Sequence, residues 1–196
     1  MDEESPYYLH HPVVPGEDRF ASLGLVNTRF TVSHGTVDLL EDAEAAHLWL
    51  VRRALLPDPA PLAGRHLGRL LTLREALRGL FASREAHTAP AAGPLEVLNS
   101  ALAAAPATPR LVWTAADGPR RDTDPDTGNP VAAALSALAE DSVELLAGPE
   151  GDQLAECGAP GCARWFLRSH GARRWCTTRC GNRVRAARAY AAKKGQ

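Results

Sequence analysis

The sequence predicts an α+β protein in two parts. The first, residues 1–150, is a mainly helical domain with a small β-sheet; the second, residues 151–196, is a small module, treble-clef-like or ribbon-like, that ends in a helix. Three observations carry this. Apolar residues recur at intervals of three and four through most of residues 37–147, the period of a helix face. Two short apolar runs, Phe20–Phe30 and Arg110–Thr114, read as strands. All four cysteines, Cys157, Cys162, Cys176 and Cys180, fall in the last forty residues, which lack Asp and Glu.

In chain order, Met1 to Asp18 is polar and aperiodic and reads as a loosely held arm. Phe20–Phe30 reads as a strand that closes at Asn27-Thr28 before a turn through Ser33-His34-Gly35. From Val37 the period is helical, with Leu39, Leu40, Ala43, Ala46, His47, Leu50 and Ala54 on one side, until the prolines of residues 57–61 stop it. A longer helix follows. Leu67, Leu70, Leu73, Leu77, Leu80 and Phe81 line one side, while Arg69, Arg74, Glu75, Arg78 and Arg84 occupy the other. Ala89–Pro94 reads as a linker and Leu95–Leu102 as a short helix. Arg110–Thr114 is a strand, with room for a partner between Arg120 and Gly128. Pro130 marks the start of a last long helix, because proline suits the first helical position. Gly148–Gly151 is the expected boundary, and the domain before it is expected to hold a core of its own.

The net charge of −1 conceals a segregation. Residues 1–156 carry 12 Arg and all 23 Asp and Glu, whereas residues 157–196 carry the other ten Lys and Arg. Asymmetry of this kind signals a partner rather than a fold. The start Met1-Asp-Glu-Glu-Ser-Pro lacks a basic and then apolar leader, and no apolar run approaches the roughly 18 residues of a membrane span. Both features predict a cytoplasmic protein that avoids the membrane.

The cysteines are spaced C-x4-C-x13-C-x3-C. Two close pairs of thiols match a tetrahedral Zn²⁺ site, with Cys157, Cys162, Cys176 and Cys180 as ligands; two disulfides are the alternative in an oxidising compartment. Cys157 to Cys162 contains Gly158, Pro160 and Gly161 and reads as a knuckle. Cys176 and Cys180 fall at the start of a helix capped by Thr177 or Thr178. Trp165, Phe166 and Trp175 are expected to supply a small apolar core, and Val184, Ala187 and Ala191 a stripe that packs α-helix on finger. An arginine-rich, acid-free module of this kind fits a polyanion. Arg173, Arg174, Arg179, Arg183, Arg185 and Arg188 are the candidate phosphate or base contacts, and Asn182 either caps a neighbour or reads a base.

The segment Arg173-Arg174-Trp175-Cys176, then two residues, then Arg179-Cys180-Gly181-Asn182-Arg183 resembles the CGNR zinc finger. Leu25–Thr28, Asp38–Leu40, Trp49-Leu50, Leu73-Arg74, Leu77-Arg78 and Leu98-Asn99 resemble the ABATE domain that precedes it in a bacterial family. The resemblance implies a stress-related transcriptional regulator whose four cysteines bind zinc. This chain has Leu167-Arg168-Ser169-His170 where an Asp often stands in that family, so no role of the acid carries over.

The expected function is therefore DNA binding by the finger, with the larger domain sensing a small-molecule effector, forming a homodimer, or both. The alternatives are a zinc-stapled protein-interaction module, including one docked on its own acidic domain, and an RNA-binding protein. No nucleophile elbow, phosphate-binding Gly loop or dinucleotide fingerprint is present, and the seven histidines form no i, i+4 pair with Glu, so an enzyme is not expected. His34 near Asp38 could line a pocket or a surface turn. Asp122, Asp124 and Asp126 alternate as in a calcium loop but lack its remaining ligands.

Overall fold

The computed structural model describes residues 12–32, 35–58, 62–125 and 128–194. His34 and Asp126 lie outside the described residues, and Asp124 is described by its backbone alone. About 53% of the chain is helical, with small antiparallel sheets, and the C-terminal finger region ends in a helix.

The run read as a first strand is a helix, α1 (Ala21–Val26), with Ser22 to Val26 all buried. A run apolar on every side carries no period to separate strand from helix. Its amide ends are capped from far away: both Asp141 oxygens accept, from Ala21 N at 3.1 Å and Ser22 N at 2.8 Å. The strands come next, as a hairpin of β1 (Arg29–Val32) and β2 (Gly35–Asp38) in which Arg29 faces Asp38. Asp42 then caps α2 (Ala43–Arg52) by accepting from Ala45 N at 2.8 Å, so the helix begins later than Val37.

The long helix α3 (Gly64–Glu85) buries Leu70, Leu73, Leu77, Leu80 and Phe81 at the expected spacing. Its arginines are not all on a solvated side. Arg74 is buried and grips both Asp38 oxygens, at 2.6 and 2.7 Å, and Thr28 Oγ1 at 3.0 Å. Arg78 donates to the carbonyls of Val26 and Ala163, and Arg84 to that of Leu146. Each of these carbonyls ends an element or lies in a loop, and a buried carbonyl needs a donor.

Helix α4 (Ala92–Ala104) starts inside the stretch read as a linker and takes Pro94 into its first turn. Strands β3 (Ala107–Thr114) and β4 (Gly118–Pro125) form a second hairpin, which leaves Leu111 and Trp113 exposed. Helix α5 (Pro130–Ala147) begins at Pro130 as expected, with Asn129 accepting from Ala132 N at 3.1 Å. A turn of 3₁₀-helix (Pro149–Gln153) leads into the finger.

The finger consists of β5 (Leu154–Glu156), the knuckle, β6 (Trp165–Leu167), a loop and α6 (Thr178–Lys194). Side chains alternate across a strand, and β5 and β6 use both faces. Leu154, Trp165 and Leu167 join the main core with Leu77, Phe81, Leu138 and Leu145. Ala155 and Phe166 point the other way, into a second cluster with Cys157, Ala159, Cys176 and Val184. Trp165 therefore belongs to the large core, its ring edge-on to Phe81 at 5.7 Å, rather than to a private core of the finger.

The arm is anchored where it is described. Val14 is 1% exposed within the finger cluster, and Pro15 O accepts from Leu167 N at 2.8 Å, extending the hairpin by one bond. Beneath it lies a buried ion pair, Arg164 to Glu17 at 3.0 Å, while Pro12 O takes another Arg164 hydrogen at 2.9 Å. Asn27 completes the joint: its amide accepts from Trp165 N and donates to Trp165 O, both at 2.8 Å, and donates to Glu17 Oε1 at 2.6 Å.

Candidate metal centre and nucleic-acid face

The four cysteine sulfurs lie within 4.8 Å of one another, and all four thiols are free. Cys162 and Cys176 sulfurs are 3.8 Å apart, and those of Cys176 and Cys180 are 3.7 Å apart. A tetrahedron with Zn–S bonds of about 2.3 Å has an edge of about 3.8 Å, so the donor set fits that ion. A disulfide needs about 2.05 Å and does not fit.

Local sequence explains how the sulfurs converge. Cys157 N donates across the hairpin to Arg164 O, and Cys162 N folds back on Ala159 O, both at 2.9 Å, which makes the knuckle a tight turn. Gly161 sits at φ +72°, a conformation that favours glycine. Gly158 N donates to Arg174 O at 3.0 Å and ties the knuckle to the second ligand pair. Thr177 caps α6 by accepting from Cys180 N at 3.3 Å, which sets Cys180 in the first turn. Gly181 is buried because the helix passes close to Trp175: an added Cβ would meet that ring at 3.3 Å.

Crowded sulfurs cannot all ionise by themselves. Cys157 is held down at about 2 because Cys162 and Cys176 would both donate to its thiolate. Cys162 is pushed up to about 12, and Cys176 is also raised, because each serves as donor to Cys157 before burial adds to the effect. A divalent cation removes that conflict by stabilising every thiolate at once.

The ten cationic residues of the module divide into two groups. Arg164 is 5% exposed and belongs to the joint, and Arg168 pairs with Glu85 at 3.0 Å. Arg173 lies over the Phe166 ring and donates to Trp175 O at 3.1 Å and Cys176 O at 2.9 Å, bracing the loop before α6. The helix is different. It buries only Gly181 and Val184, and residues 185–194 are all exposed. Ala187 and Ala191 therefore do not pack on the finger as the expected stripe did, and Tyr190 is 67% exposed. Arg183 reaches Pro160 O at 3.0 Å, and Arg185 lies over Trp175 and bonds Asn182 Oδ1. Among the described residues the side chains of Arg174, Arg179 and Arg188 have no hydrogen bond or ion pair to the protein.

Comparison with known families places these features. The ABATE family, described as "putative stress-induced transcription regulator", matches residues 21–149, and the CGNR zinc finger matches residues 153–193. The chain belongs to the ABATE family. No curated protein matches it. The ABATE region supplies α1 to α5 and the first two hairpins, and the CGNR finger supplies the four-cysteine cluster, a group that fits zinc. Among the described residues no helix is long and apolar enough to cross a membrane.

Sequence reasoning missed the residues of the joint, Glu17, Asn27 and Arg164, as well as Glu85. Only Asn27 carried a signal, as a polar residue closing an apolar run.

Proposed function

We propose that this ABATE protein is a cytoplasmic, zinc-dependent DNA-binding regulator, with Cys157, Cys162, Cys176 and Cys180 as the four ligands and α6 as the DNA-facing element. The observation that carries the reading is the state of α6: an arginine-rich helix, exposed along residues 185–194, with no acid within its length or bonded to its arginines among the described residues. An acidic body lies on the same chain, yet among the described residues its carboxylates reach Arg164 and Arg168 and not the helix. That pattern speaks against the helix being docked on its own domain and leaves its charge for an outside polyanion.

Arg174, Arg179, Arg183, Arg185 and Arg188 are the proposed phosphate contacts, with Asn182 orienting Arg185; Arg173 serves the fold of the loop. The ABATE region carries effector sensing or dimerisation in this reading. Titration of labelled duplex with the whole zinc-loaded chain tests it. Five contacts give a slope of log affinity against log salt of about −4.5. Arg179→Ala should lower that slope by about one on every sequence. A preference for single-stranded RNA at equal salt would move the assignment to RNA. Absence of binding to either nucleic acid at low salt would leave a protein-interaction module.

A further inference from the structure

A cavity of about 480 Å³ opens between the C-terminal end of α3 and the finger, within the range of about 300–1,000 Å³ usual for small-ligand sites. Its walls include Glu85, Glu156, Arg168, Arg174, Trp175 and Arg188. We propose that this cavity is a phosphoryl-binding site, in which the guanidinium groups of Arg174 and Arg188 hold the phosphate and the Trp175 ring forms the adjoining wall.

The argument rests on which charges are already matched. Glu85 accepts Arg168 on one oxygen at 3.0 Å and Glu156 N on the other at 3.2 Å, so that pair is neutral and satisfied. Arg173, also at the wall, has its hydrogens on the carbonyls of Trp175 and Cys176. Arg174 and Arg188 are left. They stand on separate elements, the loop and α6, line one cavity, and their guanidinium groups have no hydrogen bond or ion pair among the described residues. Two cations that share a cavity repel each other unless an anion lies between them, and the planar guanidinium fork matches phosphate oxygens two at a time. Glu156 is the opposing charge: no hydrogen bond is made by its carboxylate among the described residues, and it acts against a multiply charged anion. Trp175 packs close to Gly181 and under Arg185, which holds its ring in place to carry a flat ring attached to the phosphate.

The phosphate could belong to a free phosphorylated compound, such as a nucleotide, or to a nucleic-acid backbone laid along α6. Either way it would bridge the body and the helix, because the lining includes Glu85 from α3 as well as Arg188 from α6. This site goes beyond the duplex reading and can stand or fall without it.

Calorimetric titration of the zinc-loaded whole chain with inorganic pyrophosphate, at constant ionic strength, tests the proposal. One saturable site per chain is expected. Arg174→Ala and Arg188→Ala should each weaken it by about tenfold or more, the worth of a charged hydrogen bond. Glu156→Gln should tighten it, an effect that a merely structural role for Glu156 does not produce. Lys193→Ala, which removes a charge from the same helix outside the cavity, should leave it unchanged. Repeating the duplex titration with saturating pyrophosphate separates the two sources. Displacement assigns the cavity to a backbone phosphate, and a ternary complex assigns it to a small phosphorylated ligand; both uphold the site. No saturable heat at millimolar pyrophosphate, or equal weakening by Lys193→Ala, overturns it. Duplex binding that persists after such a failure would leave the regulator reading intact.

Discussion

The hairpin half and the helix half of the finger both carry arginine, yet they use it in opposite ways. In the hairpin half, Arg164 is buried against Glu17 and Arg168 is held by Glu85. In the helix half, Arg179 and Arg188 are exposed with no bonded acid among the described residues. The hairpin is roofed on both faces, by the main core and by the zinc cluster, whereas α6 is buried only at Gly181 and Val184. Charge density read along a sequence therefore overstates what a partner meets. Part of it closes the protein upon itself, and the remainder is the binding surface.

The comparison is tested most severely by removing the metal. A structural zinc contributes on the order of 10 kcal/mol to a finger of this size. A chelator, or Cys176→Ser, should release the zinc and abolish the helical signal of α6, while α2 to α5 stay folded. Because Trp165 and Leu167 lie in the main core, the remaining transition should also move to lower temperature. An unshifted transition by circular dichroism would show that the hairpin adds nothing to the body.

Next comes the joint itself. Glu17→Ala leaves Arg164 buried without its partner, which costs about 3–5 kcal/mol. The urea midpoint of the whole chain should fall accordingly, and a change confined to zinc affinity would place the pair in the finger alone.

A smaller effect separates the two kinds of arginine. Arg173→Ala removes hydrogen bonds to two carbonyls, worth about 1–3 kcal/mol, and should lower the stability of the finger more than it lowers the salt slope on duplex. Arg179→Ala should do the reverse. If both changes act on DNA binding alone, the division between structural and free arginines is wrong.

The smallest effect lies far from the finger. Burial pushes the Asp38 carboxyl up, but the hydrogen bonds and charge of Arg74, with Leu40 N, outweigh it and hold the group below its ordinary value. A lowered value in the folded state means stability that is present above the ordinary carboxylate range and lost as pH falls through the folded value. Unfolding measured from pH 7 downward should show an acid limb below about pH 4, and Asp38→Asn should flatten it.

Much of the finger was legible because its chemistry is local. Cysteine spacing, a knuckle with glycines and a proline, and a threonine before an Ala- and Arg-rich run each act over a few residues. The longest helices were legible for the same reason: Leu70, Leu73, Leu77, Leu80 and Phe81 recur with the period of the backbone that carries them. The first strand was misread as such because α1 is buried all round and capped by Asp141, 120 residues away. The arm looked loose because its partners, Arg164 and Leu167, lie some 150 positions downstream.

The sequence by itself determined the α+β class, the four-cysteine cluster and the segregation of charge, since each follows from residue type and short-range spacing. Only the tertiary structure decided that Trp165 belongs to the main core, that Arg74 and Arg164 are buried, and that Arg174 and Arg188 share a cavity. Those facts depend on which distant groups meet. A guanidinium becomes a brace or a binding group according to whether folding brings an acceptor to it, and one-dimensional order does not encode that meeting.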